Sequence, residues 1–148
     1  MKLDINLAEL SDIKGISEIE NEFFSFPHTE EQIKFEIEDG NHIVITCKNN
    51  TELIGYCIMT VIIDEAFISN IAVKKAYQNN GIASQIMEYI LNYLKSISVS
   101  SLSLEVRESN IAAISLYKKY GFEIESILEG YYSKPKENAY IMTNRRIS

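Results

Sequence analysis

Two stretches of the chain combine residue types and spacings that chemistry can use. The first reads Asn70-Ile71-Ala72-Val73, then a short connection, then Gln78-Asn79-Asn80-Gly81-Ile82-Ala83-Ser84. The pattern predicts a strand running into a polar loop, with a helix that starts at a glycine. The first-turn N–H groups of such a helix have no intrahelical partner, and its dipole favours negative charge there. Gly81 lets the backbone approach a ligand closely, and Ala83 is nearly as small. The turn is therefore fit to cradle a pyrophosphate. It is neither GxxxxGK[ST] nor GxGxxG, and no lysine lies inside it. By itself it is equally an ordinary strand-to-helix connection.

The second stretch reads Leu104-Glu105-Val106-Arg107-Glu108-Ser109-Asn110 and continues to Leu116-Tyr117-Lys118-Lys119-Tyr120-Gly121-Phe122. Period 2 puts Leu102, Leu104 and Val106 on one face of a strand, so Glu105 shares the other with Ser101 and Ser103. Tyr117 falls about two turns into the following helix, on its inward stripe. A carboxylate and a phenol then flank one cleft beside the cradle. Taken singly, such residues are usually just a solvated edge carboxylate and a packed core tyrosine.

The elements that must position these groups follow from periodicity and turn chemistry. Leu3 and Ile5 alternate in an opening edge strand. Ser11 or Asp12 caps a helix through about Phe24 with Ile13, Ile16, Ile19 and Phe23 at helical spacing, and Phe26-Pro27 breaks it. Thr29 with Gln32 forms a capping box for a second helix, with Ile33, Phe35 and Ile37, that stops at Gly40. Strands follow over His42–Cys47, Leu53–Ile63 and Phe67–Val73, with a turn at Asn49-Asn50 that sets Cys47 opposite about Leu53. A helix spans Ile82 to Ser96, a strand carries Leu102, Leu104 and Val106, and Asn110 caps a fourth helix. That helix turns Ala113, Leu116, Tyr117 and Tyr120 inward and ends at Gly121. Phe122–Leu128 and Ala139–Thr143 are the last strands. The order is β-α-α-β-β-β-α-β-α-β-β, an α+β chain with a mixed central sheet of about seven strands flanked by about four helices.

Composition narrows the classes. The 148 residues match one domain, spanning residues 1–148, able to bury about 68–70% of its unfolded surface. Apolar residues at 46% and charged residues at 24% exclude a disordered or collagen-like chain. Fourteen Lys plus Arg against 21 Asp plus Glu give a formal net charge of −7. That disfavours sequence-independent binding of nucleic acid or anionic membrane and suits a cationic partner. No apolar run approaches the roughly 18 residues of a membrane span. Met1–Leu10 carries Asp4 and Glu9 as well as Lys2 and does not read as a signal peptide. Cys47 and Cys57 lie outside any ligand spacing and read as buried free thiols of a cytoplasmic protein. His28 and His42 are isolated, so no metal site is expected.

Together the two stretches resemble the GCN5-related N-acetyltransferase (GNAT) superfamily. Its loop pattern Q/R-x-x-G-x-G/A is met by Gln78 through Ala83, with alanine for the second glycine. Within the superfamily the chain is most similar to RimI-like ribosomal-protein alanine N-acetyltransferases. Phe26-Pro27, Asp64-Glu65-Ala66, Asn70-Ile71-Ala72-Val73, Leu104-Glu105-Val106-Arg107, Ser109-Asn110, Leu116-Tyr117, Gly121-Phe122, Tyr131-Tyr132 and Glu137-Asn138-Ala139 fall in register.

The resemblance implies acetyl-CoA as co-substrate. The backbone of Ile71, Ala72 and Val73 pairs with its pantetheine arm, one amide polarising the thioester carbonyl. Asn79, Asn80, Gly81, Ile82, Ala83 and Ser84 hold its pyrophosphate, and Asn110 hydrogen-bonds the arm. Glu105 is the implied general base, Tyr117 the general acid, and Tyr131 and Tyr132 line the acceptor side. The implied acceptor is a protein N-terminus or basic peptide, foremost the N-terminal Ala of a small-subunit ribosomal protein. Such an α-amine, with a pKa of about 7.7–8.0, must lose a proton before it attacks. A nearby carboxylate gives about 10²–10⁴-fold help in taking it.

Two departures fall on the acceptor side. His28 stands where tryptophan often follows Phe-Pro, and Pro135 comes later than in Tyr-Tyr-Pro. They motivate a second reading, transfer to a small amine such as a polyamine or an aminoglycoside. A third is a non-catalytic acyl-CoA-binding module, against which Glu105 and Tyr117 argue.

Overall fold

The computed structural model describes residues 1–147. Its elements are β1 (Leu3–Leu7), α1 (Ile13–Phe23), α2 (Glu30–Glu38), β2 (His42–Asn49), β3 (Glu52–Ile62), β4 (Glu65–Val73), α3 (Ile82–Ser96), β5 (Ser101–Arg107), α4 (Ile111–Lys119), β6 (Glu123–Ser133) and β7 (Lys136–Asn144). The strands form a seven-stranded sheet in the order β1-β2-β3-β4-β5-β7-β6. The β4–β5 pair is parallel, from Glu65↔Ser101 to Phe67↔Ser103, whereas β1–β2, β2–β3, β5–β7 and β6–β7 are antiparallel. This is the mixed α+β sheet the patterning predicts. The chain divides into two compact units, Met1–Val61 with Ser69–Ile90, and Ile62–Ile68 with the chain from Leu91 onward.

In the first unit, Ile16, Ile19, Ile33, Val44, Leu53, Tyr56 and Ile58 pack as one apolar cluster. Burying each such side chain contributes about 1.5–3 kcal/mol. Thr29 and Gln32 cap α2 reciprocally, as their spacing predicts. On α2, Phe35 does not turn inward; it is 60% exposed and meets the His42 ring edge-on. Glu36 takes the inward place because the residue three along from Ile33, not two, shares its face. Asp12 does not cap α1 with its side chain. It accepts the Glu9 N–H at 2.8 Å and pairs with Lys48 Nζ at 2.7 Å.

The β2–β3 hairpin turns at Asn50, whose φ is +57°, but a bulge between Cys47 and Lys48 shifts the register. Cys47 therefore faces Gly55, and Lys48 faces Leu53. Both thiols are buried and free; burial raises Cys47 to about 11 and pushes Cys57 up as well.

In the second unit, Leu102, Leu104 and Val106 are buried while Ser103, Glu105 and Arg107 alternate with them, half-buried. On α4 the buried residues are Ile114 and Tyr117, so the inward stripe is rotated from the expected one. Ala113, Leu116 and Tyr120 are only half-buried. Strand β6 runs on past Leu128 to Ser133 through a register shift between Leu128 and Tyr132. Tyr131 and Tyr132 thus sit in a strand.

The loop between α1 and α2 is fixed by His28, whose Nδ1 meets Glu36 Oε1 at 2.8 Å. That hydrogen bond is the largest cause raising the His28 pKa above its ordinary value. A raised folded-state value means the pair stabilises fully below the unfolded pKa of about 6.5 and fades as pH climbs through the folded one. His28→Gln is therefore expected to lower stability by about 1 kcal/mol, or about 2–4 °C in Tm, at about pH 5.5 and by much less at about pH 9. Thermal melts of both proteins at the two pH values check this, and an equal loss at both would contradict it.

Candidate active site

The predicted anion cradle lies in the first unit. Strand β4 alternates exposed and buried residues up to Ser69, then Asn70, Ile71 and Ala72 are all half-buried. Gly55 of β3 packs tightly beside this segment. A Cβ there would lie 3.2 Å from the Ala72 carbonyl oxygen and 3.1 Å from Ile86 Cδ1. After Val73 the loop is tied by its own amides. Gln78 Nε2 donates to the Val73 carbonyl at 3.0 Å, and Asn80 Nδ2 donates to the carbonyls of Tyr77 and Gln78. The side chain of Asn80 is thus spent on the loop, which leaves its backbone for a ligand.

Asn79 and Gly81 both adopt positive φ, +65° and +74°. A Cβ at Gly81 would meet nothing within 4 Å, so the space in front of it is open. The first α3 hydrogen bond runs from Gln85 N–H to the Gly81 carbonyl at 3.2 Å. The N–H groups of Ile82, Ala83 and Ser84 precede it and have no intrahelical acceptor. Ile82, 1% exposed, anchors the turn in the core. Open space, backbone donors and the positive end of a fifteen-residue helix fit the pyrophosphate of an acyl-CoA.

The second unit holds the carboxylate and the phenols. Glu105 stands half-buried on β5 opposite Ile141 of β7. The Tyr131 hydroxyl donates a hydrogen bond to it, and this is the main reason the Tyr131 pKa is pushed up to about 12. Tyr131 and Tyr132 meet edge to face, with ring centroids 5.1 Å apart. Tyr117, 8% exposed, packs its ring against Phe122 at 5.6 Å. Asn110 caps α4 by accepting the Ala113 N–H at 3.2 Å with Oδ1, so its Nδ2 is the group left to donate. Glu105, Tyr131 and Tyr132 are thereby one cluster. Among the described residues no group of three or more His, Cys, Asp and Glu could hold a metal ion.

Sequence reasoning assigned no role to Arg107 and Glu137, which hold this cluster in place. The Arg107 guanidinium lies 4.0 Å above the Tyr132 ring. It also donates to Glu137 Oε2 at 3.1 Å and to the carbonyls of Lys134 and Pro135, each at 3.2 Å. Glu137 Oε1 accepts the Ser109 N–H at 2.6 Å. Hydrogen bonds from Ser109, with help from Arg107, hold the Glu137 carboxyl below the usual range. The available signal was alternation, since Arg107 shares the Glu105 face two residues on. A cavity of about 530 Å³ beside Gly130 is lined by Glu108, Glu129, Lys136, Glu137 and Asn138.

The sequence profile of the Acetyltransferase (GNAT) family matches residues 13–122. The [ribosomal protein bS18]-alanine N-acetyltransferase of Escherichia coli (strain K12) is 33% identical over 141 residues, covering 93% of this chain and 94% of its own. A crystal structure of the ribosomal-protein-S18-alanine N-acetyltransferase from Escherichia coli superposes with a TM-score of 0.90 at 32% identity, covering 99% of this chain and 95% of that one. Ard1 from Thermoplasma volcanium gives a TM-score of 0.85 at 26% identity, with 97% of each chain covered. The chain belongs to the acetyltransferase (GNAT) family and is an acetyl-CoA-dependent N-acetyltransferase.

Proposed function

We propose that this enzyme acetylates the N-terminal α-amine of a protein, with the N-terminal alanine of ribosomal protein bS18 as the leading acceptor. One observation carries the reading: end-to-end similarity to an enzyme named for that reaction, at 33% identity over 93% of this chain. The cavity beside Gly130 keeps an acidic balance, Glu108 and Glu129 against Lys136 with Glu137 paired to Arg107, which supports a basic peptide over a neutral one.

Acetyl-CoA supplies the acetyl thioester. Backbone N–H groups of Asn79 to Ser84 hold its pyrophosphate, and the Ile71–Val73 backbone with Asn110 Nδ2 aligns the pantetheine arm. An amide of the Ile71–Val73 segment donates to the thioester oxygen, where negative charge grows during attack. Glu105 takes the proton of the acceptor ammonium, directly or through one water. In the resting state its carboxylate is occupied by Tyr131, so the incoming amine displaces or joins that hydrogen bond. As the C–S bond breaks, Tyr117 gives a proton to the departing thiolate and is reprotonated by the second proton that the new amide nitrogen sheds. No covalent enzyme intermediate is required, which agrees with the raised thiol pKa values of Cys47 and Cys57.

Glu105→Gln is expected to lower kcat for peptide acetylation by about 10²–10⁴-fold with acetyl-CoA affinity little changed. Steady-state kinetics and calorimetric titration check the two halves, and an unchanged rate would remove Glu105 from the mechanism. Tyr117→Phe keeps the ring contact with Phe122 and is expected to slow turnover without unfolding the protein. A collapse of the fold with kcat intact would instead make Tyr117 a packing residue only.

A further inference from the structure

Glu20 of α1 is 0% exposed and sits among the apolar residues of the first unit. Asn70 Nδ2 donates to both its oxygens, at 2.9 and 2.8 Å. The Tyr56 hydroxyl donates to Oε2, and the His28 backbone N–H donates to Oε1 at 2.7 Å. Among the described residues no ion pair reaches it, whereas the other two buried carboxylates, Asp12 and Glu36, pair with Lys48 and His28. Charge pairing is thus not what keeps a carboxylate in this place; the donors of Asn70, Tyr56 and His28 are, each of which an apolar side chain would leave unpaired.

What the carboxylate does is join segments. Asn70 opens Asn70-Ile71-Ala72-Val73, the stretch of β4 where the exposed–buried alternation stops. His28 is the residue after Phe26-Pro27 in the α1–α2 loop, and its ring is held separately by Glu36. Only Tyr56 belongs to the core cluster. We propose that Glu20 is a positioning residue: its buried carboxylate fixes the loop at His28 and the strand at Asn70 to one another, and so sets the backbone of Ile71–Val73. The inference rests on the reading above, in which that backbone aligns the thioester. The Asn70 amide spans both oxygens, with the His28 N–H on Oε1 and the Tyr56 hydroxyl on Oε2, and only a carboxylate meets the amide with acceptors on both sides and no donor of its own. Small displacements of an aligned group are enough to lower a rate greatly.

The test compares Glu20→Gln with Tyr56→Phe in the full chain. Glu20→Gln replaces one gripping oxygen with a donor. It is expected to lower kcat/KM for an N-terminal alanine peptide about tenfold or more, with the calorimetric Kd for acetyl-CoA held within about threefold. Tyr56→Phe removes the core donor and spares both joined segments, so its Tm falls but its kcat/KM stays within about threefold of the parent. The double change Glu20→Gln with Asn70→Asp exchanges donor and acceptor and is expected to recover part of the loss. Should Glu20→Gln not fold, Asn70→Ser is measured in its place with the same expected loss. Full activity in Glu20→Gln, or losses in both single variants that simply follow their Tm, would overturn the proposal. All variants are assayed on whichever amine the parent enzyme accepts. A parent active only on small amines would overturn the reading of the acceptor and leave the Glu20 comparison standing as its own test.

Discussion

An acetyl-CoA-dependent enzyme with a formal net charge of −7 has to hold a polyanion against the field of its own surface. Backbone N–H groups at a helix N-terminus meet that constraint because their polarity does not depend on side-chain charge. Anion binding there is worth about 0.3–1 kcal/mol per exposed contact and up to about 2 when partly buried. The cradle needs an abrupt strand-to-helix turn, which Asn79 and Gly81 make in the left-handed region. It also needs that turn moored at both ends, by Gln78 on the Val73 carbonyl and by Ile82 in the core. With the polyanion assigned to backbone, Glu108 and Glu129 beside Gly130 are available for a cationic acceptor.

Two polar networks then do the positioning that apolar packing cannot. In the first unit Glu20 gathers donors from α1–α2, β3 and β4. In the second, Arg107 spans Tyr132, Glu137 and the turn carbonyls of Lys134 and Pro135. An ionised group in low dielectric costs several kcal/mol unless its hydrogen-bonding capacity is filled. Both networks supply several such hydrogen bonds, and both surround segments to which the proposed chemistry assigns a role. The acceptor-side departures fit this picture. His28 contributes its backbone N–H, which any residue there would carry, and adds a ring bond to Glu36.

What could be read from the chain was what neighbours in sequence decide. The bounds of α3, the Thr29–Gln32 capping box, the Asn110 cap and the alternation around Glu105 all rest on residues a few places apart. The turn at Gly81 belongs with them, since a glycine between a strand and an apolar helical stripe is a local signal. Glu20 was hidden because its partners lie 8, 36 and 50 residues away. A carboxylate one turn after Ile16 was nevertheless a visible breach of the apolar stripe. The bulge beside Cys47 and the register shift that carries β6 through Tyr131 and Tyr132 are likewise decided by partner strands. The rotation of α4 toward Ile114 follows from packing, which periodicity fixes only to within a fraction of a turn.

The central claim is that the acetyl group goes to an α-amine at a protein N-terminus. The most direct measurement is tandem mass spectrometry of a peptide with N-terminal alanine and an internal lysine, incubated with the enzyme and acetyl-CoA beside a polyamine and an aminoglycoside. The account predicts a single acetyl group on the alanine nitrogen, absent when the peptide carries a blocked N-terminus. Acetylation of the lysine or of the small amines, with the alanine nitrogen left free, would contradict it.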